Sequence, residues 1–160
     1  MKLKTFIILF FAIILTGCGF KAVNQNYLND YKLTEINITG DNRIAYLLKN
    51  KLKIFKQNGS KDLKIDLTIN KIKNINEKNI QNQITKYEII INANVKFYIV
   101  EKNLIDSFTI NKSGVYNVND RYSETVNNEK RLVKDLVNNI SDQISKDLRI
   151  KLNDIYKLSC

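Results

Sequence analysis

The chain has no histidine, no proline and no tryptophan, one methionine, two cysteines and only five glycines in 160 residues. Without histidine it lacks the usual general base, the usual zinc ligand and any Ser-His or Cys-His nucleophile pair, so most hydrolase chemistry loses its residues. Five glycines leave no glycine-rich phosphate loop. What is abundant is narrow: 23 Asn, 24 Ile and 22 Lys fill 69 of 160 positions. All three are encoded by A/T-rich codons, and nucleotide bias accounts for much of this composition. The net charge of +10 comes from 26 Lys+Arg against 16 Asp+Glu. Because 22 of the 26 basic residues are Lys, the lysines are read mainly as solvated surface. With 44% hydrophobic residues, the chain has enough apolar material for one core.

The first eighteen residues carry the clearest signal. Lys2 and Lys4 precede ten apolar residues, positions 6–15, and Leu15-Thr16-Gly17-Cys18 closes the run. Ten residues fall far short of the roughly 20 needed to span a bilayer, while the cationic start and small residues before the cut are those of a signal peptide. Leu-Thr-Gly-Cys resembles the bacterial lipoprotein box, whose cysteine is acylated and becomes the first mature residue. The expected division is therefore 1–17 as a removed signal peptide, 18–30 as a lipidated tether and 31–160 as one domain. Two or three acyl chains on Cys18 would give stable membrane anchoring, since each buried CH₂ contributes about 0.8 kcal/mol. Gly19, where Asp is the usual inner-membrane retention signal, favours the outer membrane. Loss of residues 1–17 removes two lysines and leaves 24 basic against 16 acidic residues, or +8. Cys160 is then a single thiol, and the fold must stand on its core.

Periodicity predicts the elements in turn. Residues 31–38, with Leu33, Ile36 and Ile38, read as a strand ended by Gly40. Asp41 offers an N-cap to a helix bearing Ile44, Leu47, Leu48, Leu52 and Phe55, stopped at Asn58-Gly59. From Asp62, Leu63, Ile65, Leu67 and Ile69 alternate with polar residues as a second strand. Residues 76–83 read as a loop. Tyr87, Ile89, Ile91, Ala93, Val95, Phe97 and Ile99 mark one face of the longest strand, and Glu101-Lys102-Asn103 a hairpin turn into a fourth over residues 104–116. Leu132, Leu136, Ile140, Ile144, Leu148 and Leu152 recur every four residues, and no Gly or Pro follows Gly114, so a helix is expected from about Tyr122 to about Asp154. The expected fold is α+β: a two-layer sandwich, order β-α-β-β-β-α, with a mostly antiparallel four-stranded sheet and two helices on one face.

No catalytic constellation emerges. Asp62, Asp66, Glu77, Glu88, Glu101 and Asp106 are scattered, no metal-ligand spacing occurs, and no cofactor is expected. Export and the absence of an Arg cluster argue against nucleic acid.

Leu15-Thr16-Gly17-Cys18-Gly19-Phe20 resembles the start of the LptE family, the lipopolysaccharide-assembly lipoproteins. Residues 42–52, Tyr87 to Val100 with the following hairpin, Ser113-Gly114-Val115-Tyr116-Asn117, and Asn128-Glu129 leading into the last helix resemble the rest of that family, in the same order. The resemblance implies an outer-membrane lipoprotein that plugs and helps assemble the LptD-type β-barrel and binds lipopolysaccharide on its way to the outer leaflet. Lys78, Lys86 and Arg121 fall near the family's lipid-binding basic residues, although the matching columns hold other residue types here. Two alternatives remain: a lipoprotein scaffold or auxiliary subunit of another envelope lipid-transport complex, and an envelope hydrolase using two converging carboxylates.

Overall fold

The computed structural model describes residues 31–52 and 59–157; the signal peptide, the tether, Cys18, Phe55 and Cys160 lie outside them. The elements are β1 (Tyr31–Gly40), α1 (Asn42–Leu52), β2 (Lys61–Lys78), β3 (Ile84–Ile99), a 3₁₀ turn (Val100–Lys102), β4 (Leu104–Asn117) and α2 (Tyr122–Lys157). One sheet in the order β1-β2-β3-β4 carries both helices on one face, as the apolar alternation requires.

The sheet is mixed. β2, β3 and β4 are antiparallel neighbours joined by tight connections, but β1 reaches β2 through the α1 crossover and so runs parallel to it. The alternation of β1 changes phase, with Tyr31 and Leu33 buried and then Ile36 and Ile38 partly buried, because the register slips between Leu33 and Glu35. That one-residue irregularity returns the apolar side chains to the core face.

Asp41 caps α1. Its Oδ1 accepts from the backbone N–H of Arg43 at 3.1 Å and of Ile44 at 3.0 Å, satisfying two otherwise orphaned donors. Ile44, Leu48 and Leu52 then point into the core. In α2, Val133, Leu136, Val137, Ile140, Ile144, Leu148 and Leu152 are buried, and Leu132 packs at their margin. Opposite them stand Leu63 to Ile69 of β2 and Ile89 to Ile99 of β3, with Phe97 fully buried and tilted against Phe108 of β4 at 6.4 Å.

The expected loop at 76–83 is a correction. β2 continues to Lys78 and only residues 79–83 turn. Asn79 Oδ1 accepts from the N–H of Gln81 and Gln83, and Asn82 takes a left-handed φ of 62°, which asparagine tolerates well. The strand was hidden because both faces of residues 72–78 are solvated, so no alternation of polarity records it.

Candidate functional site

The parity of β2 puts an unexpected group against the helices. Leu63, Ile65, Leu67 and Ile69 face the core, so the next residues on that face are Lys71, Lys73 and Ile75, paired with Ile91, Ile89 and Tyr87 of β3. There the sheet runs on under the first turns of α2. Lys73 Nζ donates to Glu129 Oε2 at 2.8 Å, and the Tyr116 hydroxyl donates to the same oxygen at 2.8 Å. The Lys73 ammonium also lies 4.3 Å from the Tyr87 ring centre and 5.4 Å from that of Tyr116, and the two rings stack at 5.8 Å. Lys71 stands between Asp41 at 3.7 Å and Glu129 at 4.0 Å.

The electrostatics follow from this packing. Burial raises the Glu129 carboxyl, but hydrogen bonds from Lys73 and Tyr116 outweigh it and hold the group below the usual carboxylate range. Burial likewise works against the charge on Lys73, yet Glu129 and Tyr116 keep its ammonium well above the ordinary lysine value. The Tyr116 phenol is pushed up by burial and by its bond to Glu129. The group is a charge-balanced clamp between strand and helix. Beside it, Asp41, Arg43, Lys71, Tyr122, Glu129 and Lys130 contribute to a recess of about 220 Å³ at the N-termini of both helices.

The β4–α2 junction is a second polar cluster. Thr125 Oγ1 accepts from the Asn119 N–H at 2.8 Å, Asn128 Nδ2 donates to the Asn117 carbonyl at 3.2 Å and to Asn119 Oδ1 at 3.1 Å, and Arg131 donates to Asn128 Oδ1 at 2.6 Å. Asn119, Asn128 and Arg131 shape an open depression of about 530 Å³ bordered by Glu124, Asn127 and Lys130.

Lys78, Lys86 and Arg121 come to the same end of the sheet, where Lys86 faces both Glu77 and Asn117 in register and Lys78 faces Ile84. They do not share a pocket. Lys78 donates to Asn82 Oδ1 at 3.0 Å, Lys86 pairs with Glu77 at 2.5 Å, and Arg121 lies 3.8 Å from Glu124 with its side chain 82% exposed. Arg121 lines a shallow depression of about 380 Å³ with Val118, Asn119, Asp120 and Glu124. Of the clamp residues, Tyr87, Tyr116 and Glu129 enter the sequence reading only as strand and motif positions, and Lys71 and Lys73 are not singled out there; the continuing parity of β2 was the available signal. Among the described residues no three His, Cys, Asp or Glu side chains gather as metal ligands, and no described helix is long and apolar enough to cross a membrane.

Two solved structures share this arrangement of strands and helices. Rare lipoprotein B from Shewanella oneidensis is 14% identical, with a TM-score of 0.58 over 76% of this chain and 98% of that one. Lipoprotein B from Nitrosomonas europaea is 13% identical, with a TM-score of 0.54 over 79% of this chain and 88% of that one. The chain has the rare lipoprotein B fold. This likeness to lipoproteins is in keeping with the family resemblance read from the sequence. No family model matches the chain, and no curated sequence is similar to it.

Proposed function

We propose that the protein is a lipid-anchored, periplasm-facing lipoprotein of the outer membrane that plugs and helps assemble an LptD-type β-barrel and binds lipopolysaccharide during delivery to the outer leaflet. The observation that carries this reading is one chain that joins a lipobox at Cys18 to a fold spanning 98% of a rare lipoprotein B structure. The outer face of the sheet supports it. Thr68, Asn94 and Thr109 align across three strands, as do Asn70, Asn92 and Asn111, giving a surface of amides and hydroxyls suited to a water-filled barrel lumen. Lys78, Lys86 and Arg121 gather at one end of that sheet and can donate charge-assisted hydrogen bonds to lipid A phosphates. The role is non-catalytic: binding and positioning, with Cys18 as the point of attachment.

The test is a pull-down of the tagged lipoprotein from its own envelope in detergent, with partners identified by mass spectrometry. Recovery of a large outer-membrane β-barrel at about one to one supports the plug. Recovery of an inner-membrane transporter moves the protein to a scaffold of another lipid-transport complex and removes the reason for a lipopolysaccharide site.

A further inference from the structure

β4 is the last strand in the sheet order, so among the described strands none receives the backbone groups on its outer margin, from Leu104 to Asn117. Nothing along the strand guards that margin. The chain has no proline, the β3–β4 register runs from Lys86↔Asn117 to Ile99↔Leu104 without a shift, and Lys112 is the single basic residue of β4. Long, regular, lightly charged edges of this kind accept another strand.

We infer that the occupant is a second copy of this chain, paired antiparallel through β4 about a two-fold axis at Ile110. A two-fold normal to the sheet keeps the helices of both copies on one side and sets residues of the same face opposite each other, so the axis passes through a residue and not between two. Centring on Ile110 pairs every residue of β4 except Asn117. It sets Ile105, 58% exposed, against Val115, 44% exposed, at two symmetric places, and these are the exposed large apolar side chains of β4. On the same face Ser107 meets Ser113 and Thr109 meets Asn111. On the core face Asp106 meets Gly114 and Lys112 meets Phe108, so no like charges oppose each other. The neighbouring centres lose these matches. About Asn111, Val115 falls opposite Ser107; about Thr109, Ile105 falls opposite Ser113 and Val115 passes beyond the strand.

The helix layer has the same symmetry. Leu132 lies over Gly114, and Lys151 bonds Asp106 at 2.7 Å. Ile110 is midway between these contacts on the strand, and residues 141 and 142 are midway between them on α2. Leu132, Asn139, Gln143 and Ile150 follow one another at spacings of seven, four and seven, which places them on one flank of α2, the flank on which Leu132 reaches β4. The two-fold at Ile110 therefore brings Leu132 beside Ile150 of the second copy, a residue 50% exposed in the single chain, and Asn139 beside Gln143. Two strands at about 4.8 Å give the roughly 8–10 Å that one helix needs, so the continued sheet has room for the second α2. β4 and α2 supply both halves of each match, which selects a second copy over a foreign strand. The inference concerns the protein outside any barrel and does not rest on the lipopolysaccharide reading.

The test is sedimentation equilibrium of the complete mature chain carrying Cys18→Ala, so that no detergent micelle holds two copies together, with Cys160 kept reduced. Raising the protein concentration should take the mass from one copy to two, and amide exchange over residues 104–116 should slow by about tenfold or more while residues 70–78 stay unchanged. Ile105→Lys with Val115→Lys sets like charges opposite each other and should stay a single copy. Ile105→Glu with Val115→Lys sets opposite charges there and should regain the pair, more weakly as salt is raised. A single copy at every concentration with β4 unsubstituted, equal pairing by the Lys/Lys variant, no pairing by the Glu/Lys variant, or protection of residues 70–78 instead would each overturn the inference.

Discussion

Lys73 and Glu129, 56 residues apart in the chain, meet at 2.8 Å. Their contact fastens the start of α2 to the part of the sheet that β1 does not reach. Lys73 also covers the Tyr87 ring, so helix and hairpin are joined through charge and aromatic surface together.

Glu129→Ala should therefore cost more than an ordinary surface pair. The side chains of Lys73 and Glu129 are 39% and 27% exposed, so solvent screens part of the attraction, and a loss of about 1–2 kcal/mol is expected in urea denaturation. Glu129→Gln, which still accepts from Tyr116, should lose less.

Acid should act through the same carboxylate. Glu129 is held below its ordinary value of 4.5, and Asp106 is held below 3.8 by its hydrogen bond from Lys151. A carboxyl lowered on folding adds stability above its unfolded pKa, and that contribution disappears as pH falls through the folded value. Stability should hold from neutrality to about pH 5 and then fall. Glu129→Gln should flatten the first part of that fall in denaturation midpoints measured across the range. Lys73 has the opposite sign: its raised value adds stability below 10.5 that is lost only as pH climbs past the folded value.

The two glycines where an added Cβ would meet other atoms should separate cleanly. Gly40→Ala drives a Cβ into the Ile69 backbone at a positive φ, and a loss of about 2–4 kcal/mol is expected. At Gly114 the new Cβ meets only Leu132 Cδ1, at 2.6 Å. That side-chain end can swing away, so Gly114→Ala should cost about 1 kcal/mol or less by the same denaturation measurement.

Cys18→Ala should move the protein from the membrane fraction to the soluble periplasmic fraction; an unchanged distribution removes the lipoprotein reading. For lipopolysaccharide, the Lys86 pairing with Glu77 makes a single charge reversal ambiguous. The exchange of both partners, Glu77→Lys with Lys86→Glu, keeps the pair and the net charge while moving the positive end. Loss of lipopolysaccharide retention by this double variant places the ligand at Lys86; full retention leaves Lys86 a structural partner only.

Most of the fold could be read from residue spacing. The four-residue repeat from Leu132 to Leu152 and the alternation from Tyr87 to Ile99 each have one face on the core, and such one-sided elements leave a strong record in polarity. The second half of β2 left none, because Ile72, Asn74 and Asn76 on one side and Lys73 and Ile75 on the other all meet water. The clamp was hidden for a related reason. Lys73 and Glu129 look like any other charges on an A/T-biased surface until the strand's parity and the helix's position bring them together. Lys78, Lys86 and Arg121 came from the family resemblance and not from spacing, and their individual pairings with Asn82, Glu77 and Glu124 depend on side-chain geometry that spacing does not encode.

The strand order β1-β2-β3-β4 matches the order in the chain, and this bears on how the protein is made. A polypeptide threaded through an export channel from its N-terminus can add every strand to the growing margin of the last, with none waiting to be wedged between two others. The helix that covers most of the apolar face comes at the end, from Tyr122 onward. Until that segment emerges, Ile89, Ile91, Val95 and Phe97 have no lid. On the export route proposed above, a nearly finished sheet would therefore keep its apolar side uncovered until the last helix has crossed.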